Sequence, residues 1–164
     1  MAADQVSLVQ ASFAQVRPLA DAFARLFYTR LFELDPALRA LFHVDMAEQR
    51  RKLIQMLDAI VEALDRPALI VAEVAALGQR HAGYGVLAKH YTTVEEALLW
   101  ALAHELGERW TPEVAEAWRA TYTLVAGTMQ ASASSLDLEV STAIEPPVDQ
   151  SASHIVPHRT ASPQ

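Results

Sequence analysis

The chain has 164 residues, of which 52% are hydrophobic, and this length and composition predict one ordinary domain with an apolar core plus an appendage. It contains no cysteine, so disulfides, zinc–thiolate sites and thiol catalysis are excluded. The formal charge is −7, from 13 basic and 20 acidic residues, which argues against nucleic acid or an anionic membrane as a partner.

Helical periodicity dominates the chain from its start, while alternating strand patterns and hairpin turns are nearly absent. Pro18 separates the first two helices, and Asp35 with Pro36 has the pattern of an N-cap followed by proline at the first helical position. Helices are therefore predicted over about 4–16, 19–34, 36–42 and 46–64.

The second half of the chain follows the same pattern. Pro67 opens a helix that Gly83 and Gly85 are expected to end, and Thr111 with Pro112 marks the start of the last helix. Helices are predicted over about 67–82, 91–107 and 112–131. The predicted fold class is accordingly all-α, with a single helical domain over residues 1–131.

Residues 132–164 differ from the rest of the chain in composition. They are rich in serine, threonine and proline and contain no aromatic residue. Such a segment cannot offset the entropy cost of ordering by burying apolar surface, so a disordered C-terminal tail is predicted. This prediction leaves room for a helical first turn or two.

No segment is typical of membrane insertion or of export. The N-terminus lacks a basic stretch followed by an apolar one, so no signal peptide is expected. The longest apolar segments, around Ala68–Leu77 and Ala97–Ala103, are much shorter than the roughly 18 residues that a membrane span needs. A cytoplasmic protein without a membrane partner is expected.

Among the six histidines, His81 is the candidate for chemistry. It lies near the end of a helix with an apolar face, immediately before the glycine-rich segment HAGYG. An imidazole that projects into an apolar groove suits an axial haem ligand, although most lone histidines of this kind are structural. The spacing of the histidines fits no zinc motif such as HExxH.

Several segments together resemble the globins, in particular the single-domain globins and flavohaemoglobins of bacteria. LFYTRLFELDPALRALF resembles their second and third helices, and EQRRKLIQML resembles their distal helix. ALGQRHAGYGV with HYTTVEEALL is similar to their proximal helix and the start of the next, and AWRATY is similar to part of their last helix. The resemblance covers about residues 4–130. It implies a globin fold of about six or seven helices around one haem b, with a short or absent D helix.

The resemblance also implies roles for individual residues. His81 is the expected proximal ligand of the haem iron, while Tyr28 and Gln49 form the expected distal pair, which stabilises a bound gas. A phenol O–H and an amide N–H directed at the partial negative charge of bound dioxygen are worth about 1.5–3 kcal/mol each, which predicts tight binding and slow release. The other residues expected to contact the haem are Phe42, Lys52, Leu53, Leu77, Tyr91 and Val94.

Each of these roles has a structural alternative. Tyr28 is otherwise an ordinary core tyrosine with a satisfied hydroxyl, Gln49 is a solvent-facing helix residue, and Lys52 belongs with Arg50 to a solvated basic edge. Without haem, His81 would be a structural residue of a helical bundle. No residue is assigned a certain catalytic role.

The function that the resemblance implies is reversible binding of dioxygen, and of carbon monoxide and nitric oxide, for transport or storage. Nitric oxide dioxygenation with a separate reductase is the alternative, because no reductase domain follows the helices, and a haem-based sensor is a third hypothesis. The glutamate that completes the proximal network of flavohaemoglobins falls at about Ala133, so a strong peroxidase-like electron push is not expected. A monomer or a weak homodimer is expected.

Overall fold

The computed structural model of the chain describes residues 1–42, 45–83 and 86–143. Within these ranges the chain is helical and contains no strand, which confirms the predicted all-α fold class. Three 3-10 helices, Arg17–Leu19, Pro36–Leu41 and Gly107–Arg109, connect the longer elements. The α-helices in these ranges are α1 Ala3–Val16, α2 Ala20–Leu34, α3 Met46–Ala63, α4 Pro67–Gly83, α5 Ala88–Leu106 and α6 Pro112–Ala143.

Side-chain caps explain where three of these helices begin. The Asp35 carboxylate accepts a hydrogen bond from the Ala37 backbone N–H at 3.1 Å, as the N-cap pattern predicts. Asp45 caps α3 in the same way, and the Thr111 hydroxyl accepts a hydrogen bond from the backbone N–H of Val114 at the start of α6. Each cap satisfies a backbone N–H that the helix itself leaves unpaired.

Helix α5 begins at Ala88, three residues before its predicted start at about Tyr91. The backbone N–H of Leu87 donates to Nδ1 of His90 at 2.9 Å, so a histidine side chain satisfies an N-terminal donor of this helix. Histidine is not among the usual capping residues, which is why the sequence pattern placed the start too late.

Helix α6 continues to Ala143, about twelve residues beyond its predicted end. Residues 132–143 contain no proline or glycine, and alanine, leucine and glutamate among them favour a helix. The Ser132 hydroxyl also donates to the Ala75 carbonyl at 2.8 Å, which holds this part of α6 against α4. The predicted end of the last helix near residue 131 is therefore wrong, and 144–164, the rest of the predicted tail, lie outside the described residues.

The core lies between helices that pack in pairs. The most extensive packing joins α4 to α6 and α2 to α5, and α1 packs mainly against α6. Phe13, Phe23 and Trp118 are the largest aromatic side chains that are almost completely buried. This arrangement places His81, in the C-terminal half of α4, at the wall of the cavity described next, which α6 also lines.

Candidate functional site

An apolar cavity of about 120 Å³ lies inside the helical bundle. Each of the helices α2 to α6 contributes to its wall, so the cavity depends on the assembled fold and not on one local motif. The aliphatic, phenylalanine and methionine side chains in its lining are Phe27, Leu53, Met56, Leu57, Ile60, Val61, Leu77, Val86, Val94, Leu98, Val125, Ala126 and Met129. The lining side chains with a polar atom are His81, His90, Tyr91, Trp118, Thr121 and Tyr122.

The His81 imidazole lines this cavity with a defined tautomer. Its Nδ1 lies 2.9 Å from the Leu77 carbonyl oxygen. Because a carbonyl oxygen only accepts hydrogen bonds, Nδ1 carries the proton and the lone pair of the neutral ring is on Nε2. Burial lowers the pKa of His81 and favours this neutral form, the hydrogen bond to Leu77 acts in the opposite direction, and nearby Arg80 adds to the lowering. A neutral imidazole tied down through one nitrogen is the form that metal-binding histidines adopt.

Tyr28 on α2 and Gln49 on α3 meet in a hydrogen bond. Gln49 Nε2 donates to the Tyr28 hydroxyl oxygen at 3.1 Å, and the rings of Phe27 and Phe42 pack edge-on against the Tyr28 ring. Burial raises the pKa of Tyr28 to about 12, and the Gln49 hydrogen bond lowers it by less. The phenol therefore stays protonated at physiological pH, and its own O–H can donate to a further acceptor because Gln49 occupies an oxygen lone pair.

The structure separates the sequence-predicted residues into two groups. Four of them line the cavity together with His81, namely Leu53, Leu77, Tyr91 and Val94. Tyr28, Gln49 and Phe42 lie outside that lining, and the Phe42 ring instead packs on Tyr28 and Phe32. Lys52 is exposed, with Nζ 3.7 Å from a Glu48 carboxylate oxygen. The hydrogen bond from Gln49 fits both the expected distal role of Tyr28 and its alternative, a core tyrosine with a satisfied hydroxyl.

Sequence reasoning missed most of the contribution of α6 to the cavity. Trp118 and Tyr122 entered the sequence analysis only as part of the motif AWRATY, yet both line the cavity. The signal was present, because Trp118, Tyr122, Val125 and Met129 follow the three-to-four spacing of one helix face. The Tyr122 hydroxyl donates to the Tyr91 backbone carbonyl and so connects α6 to α5 at the cavity wall.

A buried hydrogen-bond chain holds Trp118 in this wall. Its indole Nε1 donates to the Ser12 hydroxyl oxygen at 2.9 Å, and that hydroxyl donates to the Val9 carbonyl at 3.0 Å. Both polar groups are deeply buried, and each has its partner. A satisfied buried network of this kind fixes one side-chain arrangement, here between α1 and α6.

The donor set suits a metal held by a porphyrin better than a metal held by the protein alone. Across residues 1–42, 45–83 and 86–143, no three His, Cys, Asp or Glu side chains are grouped so that they could hold a metal ion. One imidazole beside an apolar cavity needs the remaining ligands from a non-protein group, which is the donor set that a haem supplies. The residues present therefore fit the cofactor expected from the sequence.

Comparison with known proteins agrees with this geometry. Residues 25–129 match the family model for globins. The chain belongs to the globin family. Within the described part of this globin, no helix is long and apolar enough to span a bilayer.

Relatives of this globin differ in how much of their own length the match covers. The flavohemoprotein of Bordetella pertussis is 34% identical over 119 residues, which are 71% of this chain and 30% of that protein. Neuroglobin-1 of Oncorhynchus mykiss is 30% identical over 118 residues, which are 63% of this chain and 74% of that protein. The chain thus spans about three tenths of the length of the flavohemoproteins that it matches.

One solved structure with a similar fold aligns with most of this globin. It is described as an engineered carbene transferase and putative nitric oxide dioxygenase from Rhodothermus marinus. The TM-score is 0.78 with 27% sequence identity, over 86% of this chain and 99% of that one. The likeness therefore extends over the whole of that solved chain, and not only over its helices around the cavity.

Proposed function

We propose that this globin holds one haem b in the apolar cavity, with His81 as the protein ligand of the iron, and binds dioxygen reversibly. The observation that carries the proposal is the His81 imidazole at the cavity wall with its Nδ1 proton bound to the Leu77 carbonyl. When bound, the ferrous haem would supply a coordination site for dioxygen, carbon monoxide and nitric oxide. Side chains of this globin would exclude water, pack against the cofactor and stabilise the bound gas.

The apolar lining has two tasks in this proposal. The side chains of Phe27, Leu53 and Val94 would exclude water from the site, which protects ferrous iron from oxidation. Their burial also provides the surface against which a large apolar cofactor packs, at about 25 cal/mol for each Å² removed from water. The hydrogen bond from Tyr122 to the Tyr91 carbonyl would keep the α5–α6 part of this lining in place.

Tyr28 and Gln49 would set the affinity for the gas. Tyr28 follows the cavity residue Phe27 on α2, and the two rings are in edge-on contact at 4.9 Å between centroids. The protonated phenol would donate to a ligand atom with partial negative charge, with Gln49 supporting its orientation. A hydrogen bond to such an atom is worth about 1.5–3 kcal/mol, which corresponds to a release rate lower by about tenfold or more.

Oxygen transport or storage and nitric oxide dioxygenation both need this pocket. The second candidate is favoured by the likeness to a putative nitric oxide dioxygenase and to flavohemoproteins. That reaction consumes one dioxygen, one nitric oxide and one electron for each nitrate formed, so a separate reductase would have to supply the electron. In either case we place the protein in the cytoplasm as a monomer or weak homodimer.

The first test is the visible absorption spectrum of the reduced, haem-supplemented protein before and after exposure to air. A haem spectrum that converts to a stable oxygen complex supports the proposal, and a folded helical protein that stays colourless overturns it. Release rates of dioxygen and carbon monoxide are then compared for the wild type and Tyr28→Phe. Tyr28 has the proposed role if dioxygen release accelerates by about tenfold or more while carbon monoxide, which carries less charge, changes little.

Nitrate formation separates the two candidate functions. Purified protein is supplied with nitric oxide, dioxygen and a reductase, and nitrate is measured over many turnovers. Sustained production of nitrate would assign the dioxygenase function, whereas stable oxygen binding without turnover would assign transport or storage.

A further inference from the structure

A second, open cleft lies on the surface beside α2 and the start of α3, with a volume of about 630 Å³. We call it the arginine cleft, because three guanidinium groups and only one carboxylate are among its lining side chains. The polar residues of this lining are Arg25, Arg39, Arg50, Thr29, Glu33 and Tyr28. Such a cluster of cations is unexpected on a chain whose formal charge is −7.

Two of the three arginines share one carboxylate. Arg25 Nε and Arg50 Nε lie 2.8 Å and 3.0 Å from the two oxygens of Asp21. These two contacts lower the pKa of the Asp21 carboxyl, so this group is ionised at neutral pH. One negative charge thus faces two positive ones, which leaves the Asp21 cluster with a net charge of about +1.

Arg39 adds a second excess positive charge. Its guanidinium lies 5.3 Å from the centroid of the Phe32 ring, and across the described ranges no carboxylate forms an ion pair with it. Glu33, the acidic residue of the lining, lies 3.4 Å from Arg30 and is balanced by it. Cation–π attraction to the Phe32 ring favours this position of the guanidinium, whose planar fork of N–H donors suits a planar ligand.

Tyr28 connects the arginine cleft to the proposed gas site. Its side chain lines the cleft and accepts the hydrogen bond from Gln49. One tyrosine therefore forms part of the cleft wall and, in the proposed function, one of the two groups that stabilise the gas. Arg39 and Arg50 line the same cleft as Tyr28, so an anion held there would lie beside the proposed gas site.

We propose that the arginine cleft binds a small planar oxyanion of the nitrate class. The three oxygens of nitrate lie in one plane, so two of them match the fork of a guanidinium as a carboxylate does. The binding itself does not depend on haem. Its use, the capture of an anionic product beside the site that forms it, rests on the proposed dioxygenase function.

The test is a nitrate titration of the haem-loaded protein in its diamagnetic carbon monoxide form, at constant ionic strength balanced with chloride. Resonances of the arginine Nε–H groups and of the Thr29 amide report on binding by NMR. We expect saturable shifts in the millimolar range, and binding about tenfold weaker in Arg39→Gln, equal to about 1.4 kcal/mol. The control Arg66→Gln removes an exposed arginine whose ion-pair partner is Asp65, and it should bind nitrate like the wild type.

Two further titrations test whether binding depends on the planar guanidinium and on the kind of anion. Arg39→Lys keeps the charge but loses the planar fork, so it should bind more weakly than the wild type and more tightly than Arg39→Gln. A parallel acetate titration distinguishes the ligand source: acetate binding as tight as that of nitrate assigns a general carboxylate and nitrate site, and weaker binding assigns a nitrate site.

Shifts that rise linearly with nitrate, as they do with chloride, would overturn the proposal, as would equal nitrate binding by Arg39→Gln and the wild type. The Soret absorbance of the same samples reports haem binding independently. A chain that takes up no haem but binds nitrate in an Arg39-dependent way would refute the proposed function and leave the anion site standing.

Discussion

Where α4 meets α6, the two backbones are in direct contact. Helices α2 and α3 instead meet through side chains near the arginine cleft. A Cβ atom on Gly78 would lie 2.4 Å from the Met129 carbonyl oxygen. On the other side, a single hydrogen bond joins Tyr28 to Gln49, and Tyr28 also lines the open arginine cleft. The side that carries His81 is thus held by backbone contact, and Tyr28 and Gln49 on the other side are joined through their side chains.

This difference suits two separate tasks. A ligand that anchors a cofactor must keep its position, and α4 is held to α6 by backbone contact and by the Ser132 hydrogen bond to Ala75. Groups that meet a small, exchanging ligand need only donors and a route to solvent, which side chains provide. The following predictions test this division, from the largest expected effect to the smallest.

His81→Ala should abolish normal haem coordination, because it removes the imidazole at the cavity wall. Tyr28→Phe should retain haem and, at neutral pH, change the rate of gas release. The Soret spectrum of the reduced protein reports haem coordination in both variants. His104→Ala, which removes an exposed histidine in contact with Trp100, serves as the control and should match the wild type. Equal haem loss from His81→Ala and His104→Ala would contradict the assignment.

Gly78→Ala should destabilise the fold by about 1–3 kcal/mol or more, because the added methyl group meets backbone atoms that cannot rotate away. Gly127→Ala is the matched control on α6, since a Cβ there meets nothing within 4 Å. Alanine is the better helix former, so this control should gain about 0.5–1 kcal/mol. Urea denaturation measures both, and equal stability of the two variants would show that α4 and α6 are not in backbone contact.

The stability of the wild type should fall steeply at alkaline pH, in part because of Tyr28. Its pKa is raised from 10.0 to about 12 in the folded state, so the neutral phenol is favoured by folding. This contribution, about 2–3 kcal/mol, is fully present below pH 10 and is lost as the pH rises towards 12. Tyr28→Phe lacks it, so its urea midpoint should decline less over that interval, with Tyr91 and Tyr122 acting equally in both proteins. Parallel curves would contradict the burial of the phenol.

Asp45→Ala should cost about 1 kcal/mol, because it removes the side chain that caps α3. The Gln49 backbone N–H donates to the Asp45 carbonyl in the same turn, so fraying there would loosen Gln49 and also accelerate dioxygen release. The control is Asp65→Ala, an exposed carboxylate beside Arg66, which should leave stability within about 0.5 kcal/mol. Thermal unfolding and oxygen release, measured on the same samples, test the cap, and an unchanged Asp45→Ala would argue against it.

The sequence was sufficient for the fold class and for part of the cavity lining, since helical periodicity and a recognisable motif place Leu53, Leu77, His81 and Val94. It was not sufficient for α6, because the helix beyond residue 131 is held by contacts with α4 that composition alone does not report, such as Ser132 with Ala75.

The arginine cleft was also beyond the reach of sequence reasoning. Asp21 and Arg50 are far apart in the chain and meet only when α2 packs on α3. Arg50 was interpreted as part of a solvated basic edge, an assignment that depends on its neighbours in space and not on those in sequence. Charged residues so far apart in the sequence form a cluster only through tertiary packing.

The indole of Trp118 makes the cavity observable by light. It lines the cavity, its Nε1–H is engaged by Ser12, and the side chain is 1% exposed, so its emission should be blue-shifted and insensitive to quenchers dissolved in the solvent. Trp100, which is 37% exposed, should respond to those quenchers instead. A chromophore in the cavity that absorbs at the emission wavelength of Trp118 would accept its excitation energy at short range. The emission intensity of Trp118 therefore reports whether the cavity is filled.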